Sequence, residues 1–208
     1  MLDAIHIDKV TVLGISSGGP SAAHFAARHP SRTNALLLDA AVLLPIAPAS
    51  NKIERAIFES GTGIWLSCQI AKRWPKLTAA LVVDTLSAGL SKDRKRDAVD
   101  WITSDPARLH NIVDLPTSLA PRGFRETGQR NDESNEINLD PLPFAKITAP
   151  TLITQGTNDV FPLIDHATNA ADKMSGAELM LVEEGHHGLP WCRHIGAVVQ
   201  RQLVLSLV

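Results

Sequence analysis

The 208-residue sequence predicts an α/β protein in which a doubly wound parallel sheet is interrupted by an inserted helical unit. Short β-branched or leucine-rich runs occur near both ends of the chain, stretches with helical character separate them, and the middle is helically periodic with no convincing strand. Hydrophobic residues make up 44% of the chain, ample for a core at this length.

Lys9 to Gly14 (KVTVLG) is a short apolar, β-branched run ending in glycine, followed by SSGG and an alanine-rich stretch from Pro20 to His29 that Pro30 terminates. Strand, tight turn and helix are expected in that order. Ala35 to Val42 (ALLLDAAV) is continuously apolar in its first half, as a strand covered on both faces would be. Pro150 to Gln155 and Glu178 to Val182 are two further strand candidates around a helix from about Leu163 to Met174, and a last helix runs from about Trp191 to Leu207. In between, helical spacing appears over Ile53 to Trp74, Leu77 to Leu90 and Arg94 to Thr103. Gly128 to Asp140 is polar and turn-rich, and Pro141 and Pro143 follow it, so it reads as the linker back to the sheet. Residues 1–44 and 146–208 then form the sheet portion and 45–145 the insertion.

A net charge of -2 leaves no global positive field to recruit nucleic acid or an anionic membrane. The cluster Lys92, Arg94, Lys95 and Arg96 is broken by Asp93 and followed by Asp97, the pattern of a solvated helix face. The two cysteines, Cys68 and Cys192, are far apart and lack metal-ligand spacing, so a reduced cytoplasmic setting with no metal or cofactor is expected. No run approaches the roughly 20 apolar residues of a membrane helix.

Gly14-Ile15-Ser16-Ser17-Gly18 matches G-x-S-x-G between a strand and a helix, where a nucleophilic serine sits on a strained turn that needs small residues two positions either side. The helix behind it aims free amides at the site, and the backbone N–H of Ser17 would be an oxyanion donor. The competing reading makes Ser16 and Ser17 ordinary helix caps. A serine nucleophile also needs a positioned base and a group that orients the base.

VLGISSGGPSAAHFAARHP followed by ALLLDAA resembles the elbow, helix and next strand of the α/β-hydrolase superfamily. PTLITQGTNDVF resembles its acid-bearing loop and LVEEGHHGLPW its histidine loop. The resemblance implies the chain order serine, acid, histidine, with Ser16 as nucleophile, Asp159 as acid and His186, which follows Gly185, as base. Asp39, at the end of the second strand, is the alternative acid. His186 and His187 compete directly for the base, the Gly185-His186 pair of the family favouring His186; His187 is then expected to line the entrance or pack nearby, and His24, His29 and His166 to pack or face solvent from helices. The inserted unit would be a cap, in which Trp65, Trp101 and Phe124, with Phe58, Ile64 and Trp74, either line a pocket or form the cap's own core.

The function expected is a serine hydrolase acting on a small, largely apolar carboxylic ester or related acyl compound. Carbon–carbon bond hydrolysis, proline iminopeptidase-like action and perhydrolysis need the same three residues. A non-catalytic relative that only binds a ligand or partner is the rival. Several strands and a helix precede the elbow strand in this superfamily, whereas only MLDAIHID does here. The expectation is therefore an N-terminally shortened chain with an open sheet edge, a half-built oxyanion hole, a tendency to self-associate and weak turnover.

Overall fold

In the computed structural model, residues 1–47, 61–118 and 126–207 are described. Four strands, β1 (Val10–Ile15), β2 (Thr33–Asp39), β3 (Thr151–Gly156) and β4 (Glu178–Val182), pair in parallel in the order β1-β2-β3-β4. The register sets Leu13 beside Leu37 and Ile153 beside both Leu38 and Leu179. All four strands thus present their carboxyl ends at one edge, where crevice sites form in open parallel sheets.

Alternation of side chains along each strand divides the core into two layers. Leu36, Leu38 and Ile153, joined by Val12 and Leu179, meet Ala22, Ala23 and Ala26 of α1 (Gly19–Arg28), together with Ala167 and Ala170 of a second helix, Ile164–Lys173. On the opposite face Ala35, Leu37 and Leu152 pack with Leu205 of the last helix, Ile195–Ser206. Both faces of β2 and β3 are therefore covered, which is why their sequences read as continuous apolar runs. β1 lies at the margin, pairing with β2 alone among the described residues, and Leu13 and Ile15 are each 50% exposed.

The chain divides into two compact units, one of Met1–Ile46 with Leu139–Val208 and one of Ala47–Asn138. The second unit holds helices joined by turns, with no strand among its described residues: α2 (Gly61–Arg73), α3 (Pro75–Leu86), α4 (Lys92–Thr103), α5 (Pro106–Ser118) and α6 (Glu126–Ile137). The helices Ile164–Lys173 and Ile195–Ser206 are then α7 and α8. Ile64, Cys68, Ala71, Ala79, Val83, Ile102 and Ile112 are among the buried residues of α2 to α5.

Two expectations are corrected, and one helix absent from them, α5, is added. Residues 128–137 are not linker but the greater part of α6. The segment is rich in Glu, Gln and Arg but polar all round, so it has helix-forming residues without the apolar stripe that periodicity detects. α5 begins where Asp105 Oδ1 accepts the N–H of Ala107 at 2.7 Å and Pro106 takes the first turn, a start signal the sequence carried but the periodicity obscured. His194 stands before the last helix rather than within it, and Trp191 belongs to a separate 3-10 turn, Leu189–Trp191. Residues 53–60 of the first expected cap helix, and with them Phe58, lie outside the described residues. No helix among the described residues is long and apolar enough to cross a membrane.

Candidate active site

Ser16 ends the run out of β1 with φ of 49°, in the left-handed region that a serine occupies only where its surroundings hold it. Gly14 makes the turn possible, because a Cβ there would stand 2.7 Å from Ala22 Cβ and 3.0 Å from Gly18 O. The second tight approach is at Gly19 rather than Gly18, contrary to the motif reading: a Cβ on Gly19 would meet Ala41 Cβ at 2.8 Å, whereas one on Gly18 meets nothing within 4 Å. Neither serine hydroxyl caps the 3-10 turn Ser16–Gly18 or α1, so the capping account of this Ser-Ser pair has no support.

Asp159 follows β3 in a turn laced to the loop after β4. The N–H of Thr157 donates to Val182 O, that of Asn158 to Gly185 O, and that of Glu184 to Thr157 Oγ1. Gly156 and Gly185 cross so closely that a Cβ on Gly156 would lie 2.5 Å from the Gly185 carbonyl carbon and oxygen. This contact brings Asp159 and the histidine loop together. The Asp159 side chain is fully buried, and its Oδ1 accepts the N–H of Phe161 at 3.0 Å. Its Oδ2 accepts Gln155 Nε2 at 3.1 Å, while Gln155 also donates to Pro162 O.

His187, not His186, meets these groups. Its Nδ1 lies 2.9 Å from Asp159 Oδ2 and its Nε2 3.0 Å from Ser16 Oγ. The Phe161 ring packs on the imidazole at 5.2 Å between centroids. His186 turns the other way, into the core, and is 2% exposed. Its Nδ1 accepts the N–H of Gly188 at 3.1 Å, its Nε2 has no partner, and Cys192 Sγ lies 3.4 Å from its backbone nitrogen. Burial pushes the His186 imidazole down to about 4 and the Cys192 thiol up to about 11. The two adjacent imidazoles face different ways, one toward Ser16 and Asp159 and the other into the core, so only one of them meets the serine. The Gly-His pairing could not show which one faces the serine.

Asp39, the alternative acid, is committed elsewhere: Gln202 Nε2 lies 2.8 Å from each of its carboxylate oxygens, and burial raises its pKa above the usual carboxylate value. Of the expected pocket residues, Trp65 is 62% exposed on α2, and Trp101 on α4 lies under the Arg108 guanidinium at 4.1 Å. Phe124 lies outside the described residues. Gln155 was missed in the sequence because a glutamine at a strand end carries no motif; its signal is the position of a buried amide four residues before the acid.

A protein from Nakamurella multipartita, described as an α/β-hydrolase fold protein, superposes on this chain with a TM-score of 0.91 at 30% identity, covering 99% of this chain and 71% of that one. The chain belongs to the α/β-hydrolase fold family. The 2-hydroxy-6-oxononadienedioate/2-hydroxy-6-oxononatrienedioate hydrolase 1 of Dechloromonas aromatica (strain RCB) is 27% identical over 197 residues, 92% of this chain. This chain spans 60% of that relative's length. An enol-lactonase from Burkholderia xenovorans LB400 shares the fold with a TM-score of 0.60 at 19% identity, covering 99% of this chain and 68% of that one. No protein-family model matches the chain.

Proposed function

We propose that this α/β-hydrolase-fold chain is a serine hydrolase acting on a small, largely apolar carboxylic ester or related acyl compound through an acyl-enzyme. The observation that carries the reading is the unbroken chain from Ser16 Oγ through the His187 ring to Asp159 Oδ2, at 3.0 and 2.9 Å. His187 Nε2 takes the serine proton as Oγ attacks the acyl carbon, while Nδ1–H donates to the Asp159 carboxylate, which fixes the tautomer and offsets the imidazolium charge. Asp159 is itself held by the N–H of Phe161 and by Gln155. The N–H of Ser17, at the amino end of α1, faces the oxyanion. His187 then returns its proton to the leaving group and activates the water that releases the acyl product.

Cleavage of a carbon–carbon bond beside a ketone is the second reading, favoured by the named activity of the Dechloromonas relative and of a 24% identical 2-hydroxy-6-oxo-6-phenylhexa-2,4-dienoate hydrolase from Burkholderia cepacia. The same nucleophile and base serve it. Short-chain p-nitrophenyl esters and a 2-hydroxy-6-oxodienoate, assayed side by side, separate the two. Turnover of the ester that Ser16→Ala lowers by several orders of magnitude is the result expected. Retention of more than about a tenth of the rate in that variant overturns the serine mechanism, because an oxyanion hole alone supports far less.

The partner proposed is a small-molecule substrate, with a second copy of the chain as a further one through the margin of β1.

A further inference from the structure

We infer that His166 is a positioning residue for the nucleophile turn, acting through the segment that leaves β2. The inference rests on Ser16 being the nucleophile. His166, on α7, is 5% exposed, and its Nδ1 accepts two backbone N–H groups, from Leu43 at 3.0 Å and Leu44 at 3.3 Å. Immediately before them, the N–H of Val42 donates to the carbonyl oxygen of Ser16 at 2.9 Å. Ala41 Cβ and Val42 O also press on Gly19, where a Cβ would lie 2.8 and 3.0 Å from them. The segment 41–44 therefore clamps the nucleophile turn from one side and is itself held by one imidazole.

The consequence follows from peptide geometry. The Ser16 carbonyl and the Ser17 N–H belong to one planar trans peptide and point in opposite directions. Fixing the carbonyl with the Val42 N–H therefore fixes the aim of the Ser17 N–H, the oxyanion donor. It also restrains Ser16, whose φ of 49° relaxes unless the surroundings hold it. His166 has to be neutral at Nδ1 to accept both bonds, and burial, the largest influence on it, lowers its pKa in that direction. Without the imidazole, a buried and a part-buried backbone donor lose their partner and the segment is free to move away from Ser16.

The test compares His166→Leu, which keeps bulk but removes the acceptor, with His166→Asn, whose side-chain carbonyl stands near the position of Nδ1. Each intact chain is labelled with a fluorophosphonate probe and followed at Ser16 by mass spectrometry. Amide hydrogen exchange is measured over residues 41–44 and over α7. His166→Leu is expected to slow Ser16 labelling about tenfold or more at unchanged half-saturating probe concentration, as a misaimed group does. Exchange should quicken at Val42, Leu43 and Leu44 while α7 stays protected, and His166→Asn should restore most of both. Wild-type labelling and exchange in a folded His166→Leu chain overturn the proposal. So does a tenfold loss in His166→Asn with exchange at 42–44 unchanged, which is decisive even where the leucine variant does not fold. Absence of Ser16 labelling in the unsubstituted chain overturns the nucleophile assignment itself, a different failure from labelling that is present but indifferent to His166.

Discussion

His186 and His187 are adjacent in sequence and opposite in circumstance. His187 reaches Ser16 and Asp159, whereas His186 is sealed in the core with its Nε2 unpartnered. His187→Ala is expected to lower ester turnover by several orders of magnitude, close to the effect of Ser16→Ala, and the double variant should lose little more, since nucleophile and base act as a unit. His186 is instead a stability residue with a pH signature. Its folded pKa, about 4, lies below the ordinary 6.5 because burial disfavours the charged ring. The unfolded chain thus binds this proton more readily than the folded one. Its contribution is fully present above about pH 6.5 and is lost as the pH falls toward 4, a change of about 3 kcal/mol from pKa arithmetic. Urea unfolding at pH 7 and pH 4.5 should show a smaller acid loss in His186→Leu than in the unsubstituted chain. Identical losses in the two chains would remove His186 from the account.

The two loops that carry Asp159 and His187 are held by a glycine contact that tolerates no side chain. Gly156→Ala is expected to destabilise the chain by roughly 1–3 kcal/mol, as overpacking does, because its Cβ meets the Gly185 backbone at 2.5 Å. It should also slow labelling of Ser16 by displacing His187. Gly18→Ala, with open space around the new methyl group, should leave the unfolding free energy within about 0.5 kcal/mol of the original. Equal effects of the two substitutions would contradict the packing described. At this scale the sequence was legible wherever burial wrote a pattern. β2 and β3 are continuous apolar runs because both faces are covered, and the Ser16 turn shows its strand, glycine and helix in order. It was illegible where geometry depends on direction alone. α6 has no apolar stripe to betray it, and the choice of His187 over His186 is set by the loop that Gly185 and the positive φ of Glu184 bend.

For the whole chain, the margin of the sheet is the feature with the largest consequence. β1 presents one unpaired edge among the described residues, with Leu13 and Ile15 half exposed beside it, the arrangement that invites pairing with another strand. Sizing chromatography of the 208-residue chain is expected to show concentration-dependent association, and Leu13→Lys should shift it toward monomer. A monomer at every concentration would show that this edge is not sticky. The central claim, that Ser16, His187 and Asp159 act as one nucleophilic unit, is tested most directly by fluorophosphonate labelling followed by peptide mass spectrometry on the unsubstituted chain, His186→Ala and His187→Ala. Modification at Ser16 in the first two, and at least a hundredfold slower modification in His187→Ala, is the result expected of a lost base. Labelling that survives in His187→Ala and disappears in a folded His186→Ala would contradict it.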